Sequence, residues 1–181
     1  MRASTRYQKD LKTVLSRFFP GETVVEYFIP KNARDQFGRE VGVYLPRLDV
    51  AVGPFNETDG DAHERIKNEY FEKAPQFLRN ITNGLSQNKN PRCALGIEVV
   101  YSGTSKHILG DMLNSGTIGL YGLVLVAEDM YSKVARIQEY VRVVKGMRKL
   151  PGEFCSNVRV LKADDFLNGL RNISIPNQRT L

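Results

Sequence analysis

The chain has 181 residues, a formal net charge of +6 at pH 7 and a pI near 9.4. This length suits a single domain with a substantial core, and no apolar run approaches the roughly 20 residues that span a bilayer. A membrane protein is therefore not expected, whereas a basic surface of this size attracts polyanions, nucleic acid first among them.

In chain order, "STRYQKDLKTVLSRFF" (4–19) reads as a helix with Leu11, Val14, Leu15 and Phe18 on one face and Arg6, Lys9 and Lys12 on the other. Pro20-Gly21 closes it. "ETVVEYFIP" (22–30) is a strand, "KNARDQFGRE" (31–40) a polar turn, and "VGVYLPRLDVAVGPF" (41–55) a second strand region in which Pro46 suggests a bulge or an edge. Residues 56–92 are polar and read as two helical pieces around Pro75, an excursion between strands within one domain covering 1–181. "CALGIEVVY" (93–101) is the third strand, 105–115 a short helix and "GLYGLVLVAE" (119–128) a strand apolar on both faces.

"SKVARIQEYVRVVKGMRKL" (132–150) makes an amphipathic helix with Val134, Ile137, Val141 and Val144 inward. "SNVRVLK" is a last strand, "ADDFLNGLR" a closing helix, and residues 172–181 a loose tail. This order predicts an α/β sandwich, a central mixed sheet flanked by helices. The charged N-terminus lacks the apolar core of a secretory signal, so a cytoplasmic protein is expected. Cys93 and Cys155 stand far apart and neither sits in a CxxC or Cys/His cluster, which argues against structural zinc and predicts free thiols.

Alternation along a strand brings out two acids. In "PRLDVAVGP", Arg47, Asp49, Ala51 and Gly53 share one face and Leu48, Val50 and Val52 the other. In "CALGIEVV", Ala94, Gly96, Glu98 and Val100 share a face opposite Leu95, Ile97 and Val99. Each strand thus sets one carboxylate among small residues, with room beside it. On adjacent strands Asp49 and Glu98 would repel one another unless a cation joined them, and Mg²⁺ is held by one or two carboxylates with water and phosphate oxygens. The competing reading pairs each acid with a base, Asp49 with Arg47 or Lys106. Glu26 in the first strand is a third acid candidate.

The following loop carries Lys106 and His107 into the first turn of a helix capped by Thr104 or Ser105. A lysine there opposes the helix dipole, and makes sense facing Glu98 or a phosphate. His107, Asp111 and Asn114 form a polar stripe on that helix, opposite Ile108, Leu109 and Met112, and Gly110 lacks a side chain where the helix could approach the sheet. A phosphate-binding loop is a rival reading of "SGTSKH", which joins a strand to a helix start, but the full GxxxxGK[ST] pattern is absent, since Gly103 is followed by only two residues before Lys106.

A helix and three strands, with Asp in "PRLDVAV" and Glu in "IEV", then helix and strand, resembles the PD-(D/E)XK nuclease superfamily, which includes many restriction endonucleases and Holliday junction resolvases. The resemblance covers roughly Tyr7 to Val126, with 56–92 as an insertion. It implies a restriction-endonuclease-like three-layer sandwich and a metal-dependent endonuclease that hydrolyses DNA phosphodiester bonds, with Asp49 and Glu98 as ligands of Mg²⁺ or Mn²⁺. The family's lysine, two residues after the acid, is replaced by Val100. Some members carry that lysine on the following helix, which makes Lys106 the candidate here, with His107 assisting. The alternative is a non-catalytic nucleic-acid-binding or assembly subunit on the same fold, and a more distant one an unrelated α/β protein whose acids form internal salt bridges.

Lys133, Arg136, Arg142, Lys145, Arg148 and Lys149 on the long basic helix are the candidate contacts to a nucleic-acid backbone, with a solvated helix face as the competing reading. DNA is the expected partner, RNA is the other polyanion these residues could meet, and a homodimer or a partner subunit would allow both strands to be cut.

Overall fold

The computed structural model describes residues 2–28, 47–55 and 62–173. Five strands form one mixed sheet in the order β1-β2-β3-β4-β5: β1 Thr23–Phe28, β2 Arg47–Val52, β3 Cys93–Val100, β4 Gly119–Val126 and β5 Val158–Lys162. The pairs β1–β2 and β2–β3 are antiparallel, whereas β3–β4 and β4–β5 are parallel. The helices are α1 Ala3–Leu15, α2 Ala62–Arg65 (continued as a π-helical turn over Ile66–Phe71), α3 Gln76–Thr82, α4 Ser105–Ile118, α5 Glu128–Gly146 and α6 Ala163–Arg171.

Two parallel crossovers through α4 and α5 advance the same way across the sheet, so both helices lie on one face. Ile108, Met112, Val134 and Ile137 pack there against Val100, Val124, Val126, Val158 and Val160. The other face carries α1 and α6, whose Leu11, Leu15, Phe166 and Leu170 meet Val50, Val52, Leu95, Ile97, Leu123 and Leu125. Ile66, Phe71 and Leu78 of the 56–92 excursion belong to this same core. The result is an α/β architecture with a five-stranded mixed sheet flanked by helices. Among the described residues no helix is long and apolar enough to cross a membrane.

Most boundaries match the periodicity, and α6 ends where "ADDFLNGLR" ends. α1 stops at Leu15, earlier than its pattern suggests: Arg17 and Phe18 donate to the carbonyls three residues back, tightening the chain into turns before Pro20. The polar turn 31–40, Pro46 and residues 174–181 of the tail lie outside the described residues. Cys93 and Cys155 are free thiols.

Strict alternation fails in β1 and β2. Val25 still packs on the core around Val50 and Val52, yet Tyr27 and Leu48 join Ala51, Cys93 and Ile118 on the α4 side. Val25↔Val50 and Tyr27↔Leu48 are paired, so the break falls where Glu26 faces Asp49. Glu26 has φ 52°, a left-handed backbone that a non-glycine residue seldom adopts and that turns the next side chain to the other face. Leu48 on the paired strand likewise does not share a face with Val50 and Val52, as alternation alone predicts.

Candidate functional site

Asp49 stands where the β2–β3 ladder stops. The paired positions run Val52↔Leu95, Ala51↔Gly96 and Val50↔Ile97, and Asp49 and Glu98 occupy the next position of that register. Beyond it the Asp49 side chain takes over from the backbone, with Oδ2 accepting the Val99 N–H at 2.8 Å. Glu98 is only 5% exposed. It shares a hydrogen bond with Asp49, and its Oε1 accepts from Asn114 Nδ2 of α4 at 3.3 Å.

The small residues of β3 do not leave open room beside Glu98, as the sequence suggests; they admit α4. A Cβ on Gly96 would lie 2.7 Å from the Ser115 carbonyl oxygen, and one on Gly122 of β4 would lie 2.8 Å from the Ser115 carbonyl carbon. Glycine at both positions lets the helix backbone settle on the sheet. That contact sets α4 so that Asn114 reaches Glu98, with Asp111 a turn away. Gly110, by contrast, faces open space and is not a point of close approach.

Three acids from three elements consequently act on one another. Burial pushes Glu98 up to about 9, and the charges of Asp49 and Asp111 add to the rise. Burial likewise raises Asp49, against the opposing pull of the Val99 N–H, the Glu98 hydrogen bond and the nearby Arg47. Asp111 is raised to about 6 by burial and by Asp49, with His107 working the other way. At neutral pH Glu98 thus holds a proton and donates it to the Asp49 carboxylate, the arrangement that two crowded carboxyl groups adopt with no cation between them.

Arg47 is a cation that acts on Asp49. It meets Glu26 at 3.6 Å and lies over the Phe28 ring, its guanidinium carbon 5.5 Å from the centroid. His107 is exposed, with Nδ1 3.2 Å from the Thr104 hydroxyl, and the same hydroxyl caps α4 by accepting the His107 N–H at 3.4 Å. Val100 is 2% exposed and packs with Ile108 and Met112, so the position of the family's lysine points into the core.

The structure does not bring Lys106 to the carboxylates. It is exposed and lines a separate groove between α4 and α5. Of the basic residues on and after α5, Lys133 donates to the Gly103 carbonyl at 2.5 Å, Lys145 to the Phe154 carbonyl at 3.0 Å, and Arg142 makes a two-point ion pair with Glu139. Arg136 Nε donates to Ser132 within its own helix at 3.3 Å, and Arg148 and Lys149 are exposed beyond the end of α5.

Asp111 and Asn114 are the site residues that sequence reading leaves in a polar stripe without a role. Their spacing puts them on one helix face, but which face meets Glu98 depends on the Gly96–Ser115 contact. Among the described residues, no group of three or more His, Cys, Asp or Glu side chains stands ready to hold a metal ion; only Asp49 and Glu98 meet directly, and Asp111 acts through its charge. No family model, curated protein or solved structure matches this chain.

Proposed function

We propose that the chain is a metal-dependent endonuclease that hydrolyses DNA phosphodiester bonds on a restriction-endonuclease-like core. The observation that carries this reading is the buried Asp49–Glu98 pair, drawn from adjacent strands and crowded enough to share a proton. Its donors are hard carboxylate oxygens, which suit Mg²⁺ or Mn²⁺, and such an ion needs only one or two of them besides water and phosphate. A bound ion would polarise the phosphate and lower the pKa of an attacking water.

The chain's own groups supply the remainder. Asn114 and the Val99 N–H hold the two carboxyl groups in place, and Arg47 offers positive charge beside Asp49 for a phosphate oxygen. Asp111, raised to about 6, is mostly ionised at neutral pH and is suited to take a proton from water.

A second reading is a nucleic-acid-binding subunit without catalysis, favoured by Val100 in the lysine position and by Lys106 in a different groove. Nicking of supercoiled plasmid with Mg²⁺ or Mn²⁺ separates the two. The nuclease reading expects nicking that EDTA and Asp49→Ala both abolish. Plasmid binding by folded protein, with no nicking under either metal, would favour the binding subunit.

A further inference from the structure

The groove between α4 and α5 has a volume of about 540 Å³. Lys106 and Leu109 of α4 form one wall, and Lys133, Arg136, Ile137 and Tyr140 of α5 form the other. The α5 residues recur at i, i+3, i+4 and i+7, so they make a continuous stripe facing α4. Leu109 and Ile137 give an apolar floor; Tyr140 stands at the rim, 62% exposed.

Three cations line this groove, and no carboxylate among the described residues does. Lys133 spends one of its donors on Gly103 and Arg136 its Nε on Ser132, which leaves both with further N–H groups for an anion. The groove opens at the start of α4, where the Thr104 hydroxyl takes the His107 N–H and the positive end of the helix dipole favours negative charge. Positive charge, a narrow apolar floor and an exposed aromatic ring suit a backbone phosphate with an unstacked base beside it. A duplex meets the charge but hides its base faces from Tyr140.

We infer that the α4–α5 groove binds a single strand of nucleic acid, with Lys106, Lys133 and Arg136 on the phosphates and a base stacked on Tyr140. The inference rests on the nucleic-acid reading above, extends it to a site away from the carboxylates, and does not depend on catalysis.

The test is fluorescence anisotropy with a fluorescein-labelled single-stranded oligodeoxythymidylate and a duplex of equal length, in EDTA so that cleavage plays no part. Tyr140→Ala is expected to weaken the single strand by roughly 5- to 150-fold, the loss of one stacked base, with an unchanged salt dependence. Tyr140→Phe retains the affinity. Lys106→Ala with Arg136→Ala lowers the slope of log affinity against log salt by about 1.4. Lys9→Ala with Lys12→Ala, exposed on α1 across the sheet from the groove, serves as the equal-charge control. Wild-type protein that does not bind the single strand, Tyr140→Ala that binds like wild type, or a control pair that loses as much as the groove pair would each overturn the inference. None of these outcomes depends on whether the plasmid is nicked, so failure of the groove and failure of the nuclease reading remain distinguishable.

Discussion

The Asp49 carboxylate takes the Val99 backbone N–H at 2.8 Å, one position past the last paired residues of β2 and β3. One side chain thereby closes a gap in the sheet and stands against Glu98, so Asp49 serves both structure and site.

Asp49→Ala leaves the N–H of the buried Val99 without its acceptor, at an expected cost of about 1–3 kcal/mol. Asp49→Asn keeps an acceptor oxygen and should fall between alanine and wild type. Urea unfolding in EDTA measures both; equal midpoints for alanine and asparagine would remove the structural role.

Glu98 makes stability fall with pH. Its folded pKa, about 9, lies above the roughly 4.3 of an unfolded glutamate, so the folded state keeps a proton that the unfolded state has lost. The contribution is fully present below the lower value and is lost as pH rises through the upper one. Glu98→Gln removes this dependence: at pH 8 it should melt several degrees above wild type, each kcal/mol being worth about 2–4 °C in a chain this size. Near pH 4 the two should melt together. A constant difference across that range would show that Glu98 does not titrate with folding.

A divalent cation at the pair must displace the Glu98 proton, so binding should release close to one proton and strengthen by up to about tenfold per pH unit between pH 6 and 8. Titration calorimetry of Mn²⁺ in buffers of different ionisation enthalpy reads both quantities. Glu98→Gln and Asp49→Ala are expected to abolish the signal, whereas Lys106→Ala leaves it unchanged. Binding that survives Glu98→Gln would move the metal elsewhere.

Two kinds of glycine in and under α4 should respond oppositely to alanine. Gly96→Ala drives a methyl against the Ser115 carbonyl oxygen at 2.7 Å, and the overpacking should cost at least about 1–3 kcal/mol and pull Asn114 from Glu98. Gly110→Ala meets nothing within 4 Å and should stabilise the helix by about 0.5–1 kcal/mol. If both substitutions destabilise alike, α4 is not seated through Gly96.

Hydropathy period and punctuation alone determined the order of elements: the amphipathic 163–171 became α6 without adjustment, and the doubly apolar strand read over 119–128 became β4, which ends at Val126 and is covered on both faces. They also singled out Asp49 and Glu98, because an acid inside an apolar strand is conspicuous wherever the strand packs. Only the tertiary structure decided what surrounds them. The glycines of β3 and β4 gain their meaning from a helix remote in sequence, whose seating turns Asn114 and Asp111 toward the acids and Lys106 away from them. Glu26 shows the same limit from the other side. Its left-handed backbone breaks the alternation that sequence reading relies on and sends Tyr27 to the face opposite Val25. Periodicity is a property of one element by itself; the rotation of a helix against a sheet is set by contact between two, and here that contact arranges the site.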